Sequence, residues 1–212
     1  MKITALYKKN RDIPWISLSV VFCCFVITAI AVIRPEMYYN LAWSKYPAYI
    51  WQYFSGAFLH GTSESTSMAV MHLSANILMF LPYAVMIEKM LGHQKFGIIF
   101  LCSWLGISAV FQVYVWMFVP QGEAAYGAGL SGSSYAVIAI GAYILFRLFL
   151  QDKRGFFRQP LAYLFVSGLL GELFILSPSV AGVASMLVHI TGIMIGVLMV
   201  IVFHAAICSA CE

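Results

Sequence analysis

The sequence predicts an all-α membrane protein, built as a bundle of six transmembrane helices with a membrane-associated first loop. Of its 212 residues, 62% are hydrophobic and only 9% are charged, and the mean hydropathy is +0.90. In a soluble globular domain the charged fraction is nearer a quarter. The apolar runs exceed about 18 residues and are joined by short polar segments, as in helical bundles and unlike membrane β-barrels. We therefore expect a single membrane domain over residues 1–212.

The first predicted helix covers residues 13–33. A basic tail, residues 1–12, precedes it, and Arg34-Pro35 stops it. A positively charged flank before the first span is typical of a cytoplasmic N-terminus. A cleaved signal peptide is the alternative, but the apolar run is longer than the ~7 to 15 residues usual for such peptides.

Residues 35–66 are amphipathic and rich in aromatic side chains. Tyr and Trp rings carry a polar group and settle at the level of the lipid headgroups. The segment is therefore predicted to form a long first loop that lies partly in the outer leaflet, against the bundle. Its last part, Gly61–Ser67, is polar and is predicted to be flexible.

Five further helices complete the predicted bundle. They are expected over residues 68–88, 96–119, 130–150, 161–176 and 184–207. Six alternating spans that start in the cytoplasm place every Lys and Arg except Arg34 and Lys45 on the cytoplasmic side, in accord with the positive-inside rule. We expect both termini in the cytoplasm and a multi-pass protein of a bacterial inner (plasma) membrane. The basic residues cluster at helix ends, which argues against a nucleic-acid partner.

This topology places three polar side chains at a similar membrane depth. Ser131 lies at the outer end of the fourth predicted helix, and His72 and His189 lie just inside the outer ends of the second and sixth. At ~1.5 Å per residue, all three fall within roughly 10 Å of the outer boundary. Ionisable residues inside a span are costly, and they usually face a polar partner or a water-filled cavity.

Ser131 lies in the motif Gly129-x-Ser131-Gly132. Its hydroxyl is flanked by residues without side chains, so a substrate carbonyl can approach it, as a nucleophile requires. Such a motif alone is a weak signal, and an ordinary helix entrance is the alternative.

His189 opens the motif His189-x-x-Gly192-x-x-x-Gly196, whose three residues share one helix face. The two glycines form a smooth strip on which a neighbouring helix can approach closely. This strip would bring His189 within hydrogen-bonding reach of Ser131. A packing seam with a structurally bonded histidine is the alternative.

His72 and Asn76 are four residues apart and also share a helix face. Their side chains can donate hydrogen bonds to one point, where with the Ser131 backbone N–H they would stabilise an oxyanion. The alternative is a hydrogen-bonded pair that joins two helices.

In this order the motifs resemble those of the rhomboid intramembrane serine proteases, in their basic six-helix bacterial form. The resemblance spans roughly Trp51 to Phe203, and it also includes His60, Glu88-x-x-x-Gly92 and Tyr135. Gln52 stands where an arginine usually follows the tryptophan, and Gly61–Ser67 separates His60 from His72 more widely than is usual.

The resemblance implies a Ser131/His189 dyad without an aspartate, with Tyr135 stacked beneath the His189 ring. The implied oxyanion site consists of His72, Asn76 and the Ser131 amide. No cofactor and no metal are expected, since Cys208-x-x-Cys211 lacks a second ligand pair. The helix over 161–176, followed by Ser177-Pro178-Ser179, is the predicted moving gate.

The implied activity is cleavage of transmembrane segments of other membrane proteins near their extracytoplasmic end, through an acyl-enzyme. The partners would then be substrate transmembrane helices and the lipid bilayer. A non-catalytic rhomboid-like protein that binds and escorts such helices is one alternative, usually marked by a lost nucleophile or base. A small channel or transporter is another, but it predicts ionisable residues at mid-span, which this chain nearly lacks.

Overall fold

The computed structural model describes residues 12–61, 65–159, 162, 163, 165–167, 170 and 183–211. Its helices are α1 (Trp15–Ile33), α2 (Met37–Leu41), α3 (Thr66–Leu91), α4 (His93–Phe118), α5 (Ser131–Gln151), α6 (Lys153–Phe157), α7 (Val183–Val202) and α8 (His204–Cys211). Two short strands, β1 (Trp43–Ser44) and β2 (Tyr126–Gly127), and two 3-10 turns, Ile50–Tyr53 and Ser55–Phe58, complete these elements. The predicted all-α class is confirmed.

Five helices in the described part of the chain are long and apolar enough to cross a membrane: α1, α3, α4, α5 and α7. The chain is therefore an integral, multi-pass membrane protein. Of the span predicted over 161–176, residues 162, 163, 165–167 and 170 are described and helical. The remainder of that span, which is the predicted gate, lies outside the described residues, as do the Ser177-Pro178-Ser179 segment after it and the predicted tail before Asp12.

The observed helix bounds differ from the predicted ones by a few residues, and two of the differences change the description of a segment. Helix α3 begins at Thr66, before the predicted residue 68, because the Ser65 side chain caps it by accepting the Met68 N–H at 3.3 Å. The end of the polar Gly61–Ser67 stretch is thus helical. The helix predicted over 184–207 is not continuous, since α7 ends at Val202 and α8 begins at His204. No glycine or proline marks this break in the sequence.

Helix α5 is the central helix of the bundle. In its most apolar stretch 61% of the residues are buried, against 22–39% in the other four spanning helices. It packs against α3, α4 and above all α7. A β-carbon on Gly196 of α7 would contact the Ala136 carbonyl oxygen and lie 2.8 Å from the Ala139 β-carbon. Only glycine permits α7 to lie this close to α5.

Glu88, near the end of α3, ties that helix to the beginning of α1. The carboxylate accepts the backbone N–H of Ile16 at 2.9 Å and of Ser17 at 2.8 Å, together with the Ser17 hydroxyl at 2.5 Å. His93 Nδ1 lies 2.7 Å from Oε1, the carboxylate oxygen that also accepts the Ile16 N–H. A negative charge at a helix N-terminus is stabilised by the free N–H groups there. The buried carboxylate thus caps α1 and holds it antiparallel to α3.

Lys45, in the first loop, is buried and caps the end of α4. Its ammonium donates to the carbonyl oxygens of Val119 at 2.7 Å and Pro120 at 2.8 Å. The last carbonyls of a helix lack intrahelical partners and carry partial negative charge. Lys45 therefore fixes the first loop to the segment that leads from α4 towards Ser131.

Candidate active site

The segment before Ser131 is held by backbone hydrogen bonds to the first loop. Strand β2 pairs antiparallel with β1, with Gly127 opposite Trp43. The Gly129 N–H then donates to the Gly56 carbonyl at 2.8 Å. Gly129 has a φ of +132°, a conformation that favours glycine. The chain turns at this glycine, and Ser131 becomes the first residue of α5.

Ser131 and His189 are brought together across the α5–α7 contact. The Ser131 Oγ lies 3.0 Å from His189 Nε2, within hydrogen-bonding distance. The Tyr135 ring, one turn below Ser131, lies against the His189 ring with a centroid separation of 4.4 Å and an interplanar angle of 31°. The two predicted catalytic side chains are thus in direct contact, 58 positions apart in the sequence.

The other nitrogen of His189 is buried in an apolar environment. In the described part of the chain, Nδ1 has no hydrogen-bond partner. The orientation of the imidazole therefore depends on packing. Tyr135 lies against the ring. One turn further along α7, the absence of a side chain on Gly192 allows α7 to approach α5, because an added β-carbon would collide with the Gly132 carbonyl oxygen.

His72 presents a hydrogen-bond donor to the same space. The Gly61 N–H donates to its Nδ1 at 3.1 Å, so the neutral imidazole carries its proton on Nε2. A β-carbon on Gly129 would lie 3.4 Å from His72 Nε2 and 3.8 Å from Ser131 Oγ. Both atoms therefore border one small space, which the missing side chain of Gly129 leaves open.

Asn76 lies one turn after His72 on α3. Its Nδ2 donates to the His72 carbonyl oxygen at 3.0 Å, and its buried Oδ1 has no partner among the described residues. One amide hydrogen is thus used within the helix, which leaves the second available for a ligand. The structure links Asn76 to His72, and Asn76 and Ser131 are not hydrogen-bonded to each other.

A cavity opens beside Ser131. Its empty volume is about 440 Å³. Its lining consists of Trp43, Phe111, Tyr126, Gly127, Ala128, Gly129, Ser131, Ala184, Ser185 and Val188. Trp43 and Phe111 are stacked, with centroids 5.5 Å apart, and form an aromatic wall. The nucleophile candidate therefore faces a mainly apolar space bounded by the first loop, α4 and α7.

Comparison with known proteins identifies the family. The sequence model of the rhomboid domain family matches residues 47–206, which is more than half of the chain. The chain belongs to the rhomboid family. No curated protein sequence matches it significantly. Membership of the rhomboid family, which the sequence motifs predicted, is confirmed, and the matched range includes Ser131, His189 and the two oxyanion candidates.

In this rhomboid, His60 supports the segment next to Ser131, a role that the sequence did not define. Its Nε2 accepts the Leu130 N–H at 3.3 Å, and its Nδ1 lies 3.2 Å from the Phe58 carbonyl oxygen. Its ring also lies edge-on to that of His72, with centroids 5.2 Å apart. The Gly61–Ser67 stretch thus does not displace His60 from the site.

His60 makes the stability of this rhomboid sensitive to acid. Burial is the main cause that lowers the pKa of His60 to about 3, and the nearby His72 imidazole is the second. In the unfolded chain the pKa is about 6.5. Above pH ~6.5 both states are neutral and stability is unaffected. As the pH falls from ~6.5 towards 3, the unfolded state binds the proton first and stability decreases, by up to about 1.4 kcal/mol per pH unit.

We therefore expect His60→Gln to be less stable than the wild type at pH 7.5, with a difference that shrinks as the pH falls from 6.5 to 4. The stability difference is measured from thermal unfolding midpoints in detergent at each pH. His204→Gln, at an exposed histidine of α8, is the control and should show a constant difference. A difference in unfolding midpoint between wild type and His60→Gln that is independent of pH would contradict the lowered pKa of His60.

Gln52 anchors the first loop of the rhomboid domain although it replaces the usual arginine. The side chain is buried, its Oε1 accepts the Tyr49 N–H at 2.9 Å, and its Nε2 donates to the Tyr39 carbonyl at 2.7 Å. A neutral amide satisfies both the donor and the acceptor of the loop. The sequence signal was present, since a polar residue lies within a run of aromatic ones, but its partners are distant in sequence.

Proposed function

We propose that this rhomboid is an intramembrane serine endopeptidase that cleaves transmembrane segments of other membrane proteins near their extracytoplasmic end. The observation that supports it most directly is the 3.0 Å contact between Ser131 Oγ and His189 Nε2. A hydroxyl hydrogen-bonded to an imidazole is the arrangement that activates a serine nucleophile. The family is also composed mostly of intramembrane serine proteases.

In the proposed reaction His189 acts first as a base and then as an acid. Nε2 takes the proton from the Ser131 hydroxyl while Oγ bonds to the scissile carbonyl carbon. The tetrahedral intermediate collapses when Nε2 returns the proton to the departing amine, which leaves an acyl-enzyme. Water, deprotonated by the same nitrogen, then attacks the ester, and as the ester C–O bond breaks Nε2 returns the proton to Ser131 Oγ and the second product leaves as a carboxylic acid. Packing against Tyr135 keeps the imidazole in place throughout.

The oxyanion that forms in each step requires donors beside Ser131. The proton on His72 Nε2 borders the space next to Gly129. The Ser131 N–H is in the first turn of α5, where backbone donors lack intrahelical partners and carry partial positive charge. The second amide hydrogen of Asn76 is a third candidate. Preorganised donors of this kind are each worth ~10²–10³ in rate.

Hydrolysis of the acyl-enzyme also requires water within the bundle. Ser108 Oγ and Gln112 Oε1 of α4 are buried without partners among the described residues. Buried polar atoms of this kind are usually satisfied by internal water. Phe111, between them in sequence, lines the cavity beside Ser131. Helix α4 therefore offers polar groups that can hold water near the site.

The substrate must expose its backbone before it can react. In a transmembrane helix each carbonyl is hydrogen-bonded within the helix, so cleavage requires local unwinding. We therefore expect substrates with Gly, Pro or small polar residues near the outer end of their span. The apolar lining of the cavity suits a segment that enters from lipid.

Labelling by a serine-reactive fluorophosphonate tests the proposal. The purified wild-type protein should become labelled at Ser131, and Ser131→Ala should remove the label. Ser133→Ala is the matched control, since it deletes a neighbouring buried serine and should label normally. Absence of labelling in the folded wild-type protein would contradict the proposal and favour the non-catalytic helix-escorting alternative.

A further inference from the structure

A second cavity lies at the opposite end of the bundle from Ser131. Its empty volume is about 470 Å³. The lining residues are Met90, Leu91, Lys95, Ala206, Ser209 and Ala210. His72 and Met90 are both in α3, and at 1.5 Å per residue they are about 27 Å apart along its axis. The cavity therefore lies at the far membrane boundary, where the α3–α4 turn meets α8.

The lining combines an apolar surface with one cation and one hydroxyl. Lys95 is exposed, so its stem can lie along the cavity while its ammonium reaches the headgroup level. None of the described lining residues carries a carboxylate. Glu88, the acidic residue nearest to them in α3, is buried and accepts hydrogen bonds from Ile16, Ser17 and His93. The positive charge of Lys95 is thus not matched by an acid in this lining.

Two further features of this end favour an anion. Helix α4 begins at His93, and no side chain caps its first turn, to which Lys95 belongs. The free N–H groups of such a turn attract negative charge. Arg147, Lys153 and Arg154 lie at the same end of the bundle, around the end of α5. These features reinforce the charge of Lys95.

We infer that this cavity binds an anionic phospholipid of the surrounding bilayer. Its phosphate pairs with Lys95 next to the Ser209 hydroxyl, and an acyl chain lies against Met90, Leu91 and Ala206. Basic pockets between helices at the end of a membrane span suit the charge and amphipathic shape of such a lipid. The bound lipid joins α8 to the α3–α4 turn and so stabilises the part of the chain that follows the break at Phe203.

Binding is tested on the full chain purified in a neutral detergent. Phosphatidylglycerol and phosphatidylcholine with identical acyl chains are titrated separately, and bound lipid is counted by native mass spectrometry alongside thermal unfolding. We expect phosphatidylglycerol to be retained and to raise the unfolding midpoint, with little effect of phosphatidylcholine. Lys95→Gln should weaken phosphatidylglycerol binding about five- to tenfold. Arg34→Gln is the control: it removes an equal charge at the opposite end of the bundle, directly after α1, and should bind normally.

A second variant tests the cavity without a change in charge. Ala206→Leu keeps Lys95 but fills the space for the acyl chain, and we expect it to unfold cooperatively with no response to phosphatidylglycerol. The inference is overturned if Lys95→Gln and Ala206→Leu both bind phosphatidylglycerol like the wild type. It is also overturned if phosphatidylcholine raises the unfolding midpoint as much as phosphatidylglycerol does, or if inorganic phosphate alone raises it equally. None of these readouts depends on proteolysis.

Discussion

Replacing Ser131 by alanine or His189 by asparagine is expected to lower the cleavage rate of a transmembrane reporter substrate at least about a thousandfold. Ser131→Ala removes the atom that attacks the carbonyl, and His189→Asn removes the base that accepts its proton at 3.0 Å. Because the two groups act in one step, loss of either removes the contribution of both. The double variant should therefore be no slower than the slower single variant.

Cleavage of a reporter in proteoliposomes, followed by gel mobility, measures these rates. His204→Gln is the matched control, because it removes an exposed histidine at the other end of the bundle and should retain normal activity. Both inactive variants should still unfold at the wild-type temperature within a few degrees. Undiminished cleavage by either purified variant would refute the dyad, and additive losses in the double variant would show that the two residues act independently.

The spanning helices could be predicted from the sequence because their signal is local. An apolar run of about 18 residues or more between charged or glycine-containing joints has few other interpretations. Helix α4, expected over 96–119, is found at His93–Phe118. The break at Phe203 could not be predicted in this way, since no glycine or proline interrupts the sequence there.

The proximity of Ser131 and His189 could also be anticipated, because topology and helix periodicity define depth and face. Two observations, a shared membrane level and a glycine strip below His189, are sufficient to bring their helices together. Asn76 shows the limit of this reasoning. Helix periodicity places it on the face of His72, but it cannot show that one amide hydrogen is bonded to the His72 carbonyl.

The first loop was the least predictable part. Its aromatic composition indicates the membrane interface, but its path depends on contacts between residues that are far apart in sequence. Strands β1 and β2 have two residues each, too few to show an alternating pattern. The sequence placed Lys45 only on the outer side of the membrane and did not predict that it is buried and donates to the Val119 and Pro120 carbonyls. Such capping is a property of the folded loop alone.

The glycine strip leads to the second large prediction, that Gly192→Ala will destabilise the bundle and nearly abolish cleavage. An added β-carbon would contact the Gly132 carbonyl oxygen and lie 3.1 Å from the Tyr135 β-carbon. The first of these contacts is with backbone, so α7 itself must move away from α5. We expect a loss of about 1–3 kcal/mol in the free energy of unfolding. A displacement of about 1 Å at His189 would lower the rate roughly a hundredfold in protein that remains folded.

Gly97→Ala in α4 separates this effect from the general consequence of replacing a helical glycine. There the new β-carbon would meet only the tip of the Ile16 side chain at 3.2 Å, which can rotate aside. The gain in helix propensity, up to about 1 kcal/mol, should leave this variant as stable as the wild type or slightly more so. Thermal unfolding and reporter cleavage are measured for both variants. Equal behaviour of the two would show that His189 does not depend on close α5–α7 packing. In that case its orientation would have to come from another contact, since its Nδ1 has no hydrogen-bond partner in the described part of the chain.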